Sequence, residues 1–497
     1  MSAAGKAEGP DQHAAAGAGH APAEARAGRP RVAVIGAGLT GLATAYHLRD
    51  EAEVTVFDAA ERVGGQILTS ELAGAPLDVG ADAFLARQPE AEALVRSVGF
   101  GDDDLVAPAT GRVHLWVGGR LRPLPDATVL GAPTSLRAVA RSRALGPAGL
   151  VRAAAEPLLP RRHVAGDRSV ADLIGERFGR EVVQTLVEPL LGGVYAGDTE
   201  LLSASATVPP VWAAARDHRS LTAGLRAHRA RTAGDARPVF LTLRQGLGAL
   251  TGRLRDHLGD RVRTGTRVTG LARVGSRWTL TTVAAAPTLA EGRPGTVTYD
   301  AVVLTVPAVV AADLLRTIDA EVAREFAGIR TASVGVIALA YDPADARSVP
   351  DGSGVLVPKS EGRLVKAVTV SSRKWPHHHD HDGSFRLRAS VGRVDDPAAL
   401  ELDDATLAER VDAEVRLALR LRHPAKERTV VRWPGALPQY EVGHLARVDR
   451  IRYALAERLP GLQIGGASLD GVGLAARARD AGRLAHEVRH HLGTSVR

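Results

Sequence analysis

Residues 31–67, RVAVIGAGLTGLATAYHLRDEAEVTVFDAAERVGGQI, constrain the fold of this chain more than any other stretch. A short apolar run at residues 31–35 has strand length and leads straight into Gly36-Ala37-Gly38-Leu39-Thr40-Gly41. Apolar Leu39, Leu42, Ala43 and Tyr46 then recur at helical spacing, and residues 54–57 read as a second strand that closes on Asp58. The pattern is a βαβ unit with GxGxxG at its strand–helix turn. Gly36 admits the tight turn, Gly38 lets backbone N–H groups approach a pyrophosphate, and Gly41 lets the helix pack close on the strand. The helix start offers unpaired donors and the positive end of its dipole to phosphates. Asp58, about twenty residues after the glycines, is placed to accept from ribose hydroxyls. Strand, helix, second strand and acid fall in one register, which a glycine-rich surface turn would not require. A dinucleotide site follows.

Arg62-Val63-Gly64-Gly65 lies just past Asp58. An RxGG after the second strand resembles the flavoprotein form of this unit, in which paired glycines pass close to the cofactor, so FAD is favoured over NAD. A second strand–glycine-turn–helix pattern stands near the other end of the chain, with residues 462–464, Gly465-Gly466, Gly471-Val472-Gly473 and a helix to about residue 491. Two glycine-cradled helix starts so far apart fit a cofactor domain built from distant segments. The first would hold the pyrophosphate and the second would set a helix dipole beside the isoalloxazine.

Composition excludes several classes. With 497 residues the chain can hold two or three domains, and no apolar run approaches the ~20 residues that span a bilayer. There is no cysteine, hence no disulfide, thiolate metal site, iron–sulfur cluster or redox dithiol. Any redox chemistry needs a bound cofactor. Residues 1–30 are Ala/Gly-rich and read as a disordered tail, without the basic start and apolar core of a signal peptide. A cytoplasmic location is expected. The net charge of +7 comes from scattered arginines, aromatics are only 4%, and no nucleic-acid-binding motif is present, so an anionic small substrate fits better than nucleic acid.

Along the chain, residues 88–98 read as a helix and 112–125 as a hairpin turning at Gly118-Gly119. Residues 133–231 are mainly helical. Strands are expected at 239–243, 262–271, 278–283, 299–306, 333–341, 354–357, 364–370 and 385–391, with a Pro/Gly-rich loop at 284–295 and a helix at 404–421. The class is α/β. The expected division is an FAD-binding domain from 31–115, 236–315 and 455–492, a largely helical domain at 116–235, and a substrate domain at 316–454.

Several motifs together resemble the protoporphyrinogen/coproporphyrinogen oxidase family. They are Gly36–Gly41, Arg62–Gly65, DVGADAF at 78–84, EPLLGGVYAG at 188–197, ALPQYEVGH at 436–444 and the glycine turn at 465–473. PLLGGVYAG and ALPQYEVGH are the specific pieces, and the likeness covers roughly residues 31–490. It implies an FAD domain of the p-hydroxybenzoate hydroxylase type (Rossmann-like), a mixed-sheet substrate domain and a helical domain. It also implies FAD contacts at Gly36, Ala37, Gly38, Leu39, Thr40, Gly41, Asp58, Ala59, Gln66, Gly80, Ala81, Asp82, Ala83, Val268, Trp433, Gly471, Val472 and Gly473. Asp58 stands where Glu is more usual, and Leu469 where an aromatic is common.

The implied chemistry is oxidation of coproporphyrinogen III to coproporphyrin III, with oxygen as acceptor and peroxide as by-product, and hand-over of product to a ferrochelatase. The cofactor carries the hydride step, so no protein residue is assigned a catalytic role. Four propionates call for Arg partners. Arg87 matches a family position near substrate, and Tyr195 and Tyr440 are candidate pocket walls. Lys374 falls in a family motif without an assignable role. The run His377-His378-His379-Asp380-His381 lacks zinc-type spacing and reads as a solvated insertion, so no metal is expected. Protoporphyrinogen IX as substrate, a flavin amine oxidase and a non-enzymatic porphyrin carrier remain the alternatives.

Overall fold

The computed structural model describes residues 28–161, 166–232, 237–284, 295–380 and 383–493. Most of the expected tail, and most of the Pro/Gly-rich loop, lie outside these.

Five parallel strands form the cofactor-side sheet, in the order Val262–Arg263, Glu53–Phe57, Arg31–Ile35, Ala301–Leu304, Leu462–Ile464. Their apolar runs are buried on both faces, as a covered parallel sheet demands. Val32 and Val34 pack on one side against the helices Leu39–Leu48, Gly248–Leu258 and Leu474–His491. Ala33 and Ile35 pack on the other, against the antiparallel strands Thr266–Val274, Arg277–Ala284 and Gly295–Tyr299 and the helix Ala308–Leu315. Gly41 is where helix meets strand, since a Cβ there would sit 1.9 Å from the carbonyl oxygen of Gly36.

A seven-stranded sheet forms the second layer, in the order Glu427–Pro438, Thr331–Tyr341, Phe385–Val391, Val365–Thr369, Gly354–Leu356, Val113–Val117, Arg120–Pro123. Only Gly354–Leu356 against Val113–Val117 is parallel. The helix Asp404–Leu419 covers one face, with Leu407, Val411 and Val415 on Ile337, Leu339, Leu387 and Val391. The opposite face turns toward the cofactor-side sheet and the helical region. The hairpin of residues 113–123 belongs to this sheet, so the expected boundary at 115/116 cuts through a paired strand. The boundary at 454/455 likewise falls inside the helix His444–Arg458.

The strand Glu427–Pro438 and that helix were not anticipated from sequence. Pro434-Gly435 reads as a breaker, yet the strand sits at the sheet edge, where a residue without N–H is tolerated. Between them, the helices from Leu136–Ser142 to Leu221–Thr232 enclose Ile174, Phe178, Leu186 and Val187. Glu156 is fully buried there and accepts from Arg177, Ser220 Oγ and the N–H of Leu221. Among the described residues no helix is long and apolar enough to cross a membrane.

Candidate functional site

A cavity enclosing about 1350 Å³, counting the space at its mouth, runs along the carboxyl ends of the parallel strands. Its wall includes Ile35, Phe57 and Thr305, which end or follow three of those strands, and Gly466 after a fourth. Ligands of open α/β sheets bind at this edge.

Two helix starts face the cavity. Gly38 caps the helix Leu39–Leu48 and Gly473 caps Leu474–His491, and neither supplies a side-chain hydrogen bond to the first-turn N–H groups. A Cβ on either glycine would meet no protein atom within 4 Å. Thr40 Oγ1, in the first turn, is buried with no hydrogen-bond partner among the described residues. Unsatisfied donors, open approach and a positive dipole end fit the first start to a diphosphate, and the same features at the second fit the electron-rich edge of a flavin ring. The Asp58 carboxylate accepts from Ala37 N (2.6 Å) and Ala60 N (2.8 Å), fastening the second strand to the glycine turn. Its remaining lone pairs border the cavity beside Ala59, Thr266, Arg267 and Val268, a polar rim suited to a ribose.

Of the residues singled out from sequence, Gly36, Gly38, Leu39, Thr40, Asp58, Ala59, Gln66, Ala81, Val268 and Val472 line this cavity. Ala37, Gly41, Gly471 and Gly473 shape its two turns without lining it. Gly80 packs under Gln66, where a Cβ would come within 2.1 Å of that residue's carbonyl oxygen. Gln66 Nε2 in turn donates to the Ala436 carbonyl and ties the wall to the large sheet. Trp433 lies behind the wall, its Nε1 donating to Val79 O (3.0 Å) and its ring beneath the Arg62 guanidinium.

Asp82 and Ala83 also stand off the cavity. Asp82 is held between Lys374 Nζ (2.7 Å) and Arg388 (2.9 Å), two cations of the large-sheet layer. Burial would raise this carboxyl, but Arg388 and Lys374 outweigh it and hold Asp82 well below the usual carboxylate range. Arg388 also donates to the carbonyls of Asp78 and Gly80. Asp78 differs: burial pushes its carboxyl up to about 6, although Thr69 and the Leu247 N–H donate to it.

The structure places Arg87 at the surface, exposed and away from the cavity. Tyr195 and Tyr440 are buried in the core of the helical region, 5.7 Å apart between ring centroids, and neither lines the cavity. Their rings follow the apolar faces of the packed elements. Tyr440 acts on the second glycine turn instead, its hydroxyl donating to Ala467 O (2.5 Å) and accepting from Gly471 N (2.6 Å). His444 stacks on Tyr440 at 4.0 Å. It bonds through Nε2 to Leu469 O, which can only accept, so Nε2 carries the proton. Burial holds His444 below its ordinary value and therefore neutral near pH 7. Tyr440→Phe leaves the Gly471 N–H unpaired, at a cost of about 1–3 kcal/mol. The variant should melt several degrees lower and release flavin more readily; wild-type melting and flavin retention would show the clamp to be idle.

Sequence reasoning passed over Thr305, Thr331, Gly435 and Arg477, all on the cavity wall, and quoted Ala436 only as the start of a motif. Thr305 was accessible in principle, as the residue that follows a central parallel strand. The others come from the large sheet and the last helix, which only the assembled fold brings here. His377 and His378 are buried, and His381 lies outside the described residues. Among the described residues no three His, Asp or Glu side chains gather as a metal site.

A cavity between two glycine-capped helix starts, at the carboxyl edge of a parallel sheet, defines a dinucleotide-binding oxidoreductase fold. The profile of the flavin-containing amine oxidoreductases matches residues 39–485. The chain is 32% identical to a coproporphyrinogen III oxidase of Bacillus subtilis, over 90% of this chain and 95% of that one. It is 37% identical to a coproporphyrinogen III oxidase of Mycobacterium bovis, over 93% and 98%. A crystal structure from Exiguobacterium assigned as a protoporphyrinogen oxidase superposes with a TM-score of 0.81 at 28% identity, covering 94% of this chain and 99% of that one. The chain belongs to the flavin-containing amine oxidoreductases and, within them, to the protoporphyrinogen/coproporphyrinogen oxidase family. It is a flavin-dependent enzyme.

Proposed function

We propose that the chain oxidises coproporphyrinogen III to coproporphyrin III with FAD as its flavin, in the cytoplasm, and passes the product to a ferrochelatase. The observation that carries this reading is the near full-length relationship to two coproporphyrinogen III oxidases. The balance is one porphyrinogen and three O2 giving one porphyrin and three H2O2, six hydrogens leaving the macrocycle. Bound flavin supplies the hydride acceptor at the substrate carbon and returns the electron pair to oxygen. The protein's part is positioning. Gly38 and Thr40 would bind the diphosphate, the helix start at Gly473 would face the isoalloxazine, and Asp58 with the backbone at Val268 would hold the adenosine. The Tyr440–His444 clamp fixes the second glycine turn, and the large sheet closes the cavity from water.

Anaerobic mixing of the purified flavoprotein with coproporphyrinogen III tests the reading. Bleaching of the flavin, followed on air admission by porphyrin fluorescence and peroxide, is the expected result. A flavin that stays oxidised under excess coproporphyrinogen III would overturn it.

A further inference from the structure

In the strand Val365–Thr369, Val365 and Val368 point into the core under the helix Asp404–Leu419. A bulge between Val365 and Ala367 turns Lys366 out of that core, into the field of Arg393 and Glu188. Lys366 is only 3% exposed; its backbone carbonyl accepts from Val357 N (2.9 Å), but its ammonium has no hydrogen bond or ion pair among the described residues. Arg393 is 6% exposed, donates to Val357 O (3.2 Å) and lies 3.7 Å from Glu188, too far for a good hydrogen bond. Glu188 accepts instead from the backbone N–H of Lys359. Two buried cations thus share one carboxylate, and one of them is a lysine with no partner. Buried charges are ordinarily paired, because an isolated one is strongly disfavoured.

Lys366, Arg393 and Glu188 do not line the cavity themselves, and the helix that Glu188 opens joins them to its wall. Glu188 begins the helix Glu188–Tyr195, which runs roughly 10 Å to Tyr195. There Gln439 Nε2 donates to Tyr195 O (2.8 Å), and its neighbour Pro438 is cavity wall. We infer that Lys366, with Arg393 beside it, binds a carboxylate of the substrate and sets the preference for a porphyrinogen rich in propionate arms; this rests on the porphyrinogen reading above. The bound carboxylate supplies the missing anion, and Glu188 keeps the pair in balance between turnovers. The free ammonium, pushed down to about 7 by burial and by Arg393, gives up its charge readily until that anion arrives.

Steady-state kinetics of the flavin-loaded enzyme on coproporphyrinogen III, with flavin content and melting recorded for each variant, tests this. Lys366→Met should raise KM at least tenfold with kcat within about twofold, and Lys366→Arg should restore KM to within about threefold of wild type. An unchanged KM in Lys366→Met, a loss carried by kcat, or no rescue by Lys366→Arg would overturn the assignment and leave the oxidase reading standing. A wild-type enzyme inactive on every porphyrinogen would bring down both. If Lys366→Met does not fold, Glu188→Gln decides: removing the competing anion should lower KM severalfold, and an unchanged or higher KM would refute the carboxylate site.

Discussion

Gly38→Val should give a protein that melts with the wild-type apoprotein and retains no flavin, whereas Gly41→Ala should damage the apoprotein itself. The two glycines belong to one six-residue turn, yet they serve different neighbours. A Cβ at Gly38 has no protein atom within 4 Å, and the backbone there is extended (φ −71°, ψ 177°), which a β-branched residue adopts without strain. Only a ligand between the helix starts would collide with it. A Cβ at Gly41 would lie 1.9 Å from Gly36 O and 2.7 Å from Thr305 Oγ1, so helix and strand must part. Overpacking of that kind costs about 3 kcal/mol or more. Thermal melting of both apoproteins and flavin titration of the folded one measure the contrast. Equal melting losses in the two variants would mean that the open space at Gly38 is not reserved for a cofactor.

The second large effect is expected at Asp82. Asp82→Asn leaves Lys374 and Arg388, both mostly buried, with no carboxylate between them, at a cost of about 3–5 kcal/mol. The pH dependence has a definite sign. A carboxyl whose folded value is depressed contributes stability that is fully present above the unfolded value, about 3.9, and is lost as pH falls through the lower folded value. The melting gap between wild type and Asp82→Asn should therefore be constant from pH 8 to about pH 5 and narrow only below about pH 4. A gap that closes already between pH 7 and 5 would assign the effect to another group. Asp78 is no rival on the acid side: its raised carboxyl gains a proton in the folded state first, so its contribution improves as pH falls from 7 toward 4.

What could be read from sequence was local. Gly36 to Asp58 declares a strand, a turn, a helix and an acid within one short segment, because each role needs a particular residue at a particular spacing. The same holds for Gly471–Gly473. The large sheet was read in part, through the continuous apolar run at 333–341 and the alternating run at 385–391. Its edge strand Glu427–Pro438 was hidden, because Pro434-Gly435 looks like a break until the strand is known to lack a neighbour on one side. Tyr440 marked an important place, but its position between Ala467 O and Gly471 N depends on packing across the helical core, which no spacing rule expresses. Lys366 gave no signal in a strand of ordinary composition. Its isolation is a property of the assembled charges.

The cofactor-side sheet draws its central strand from residue 31 onward, its neighbour from residue 301 and its edge from residue 462. One helix start on the cavity belongs to the first of these segments, the other to the last. A ribosome that has released everything through Pro438, the end of the seven-stranded sheet, has therefore made half a cradle, and its parallel sheet still shows a bare edge at Ala301–Leu304. Such late pairing between distant segments is slow and prone to association with other chains. Flavin loading must wait until the helix Leu474–His491 has emerged, so nascent chains stalled upstream of it should accumulate as flavin-free clients of chaperones. A frameshift near residue 460 should be as damaging to cofactor retention as one in the first glycine turn.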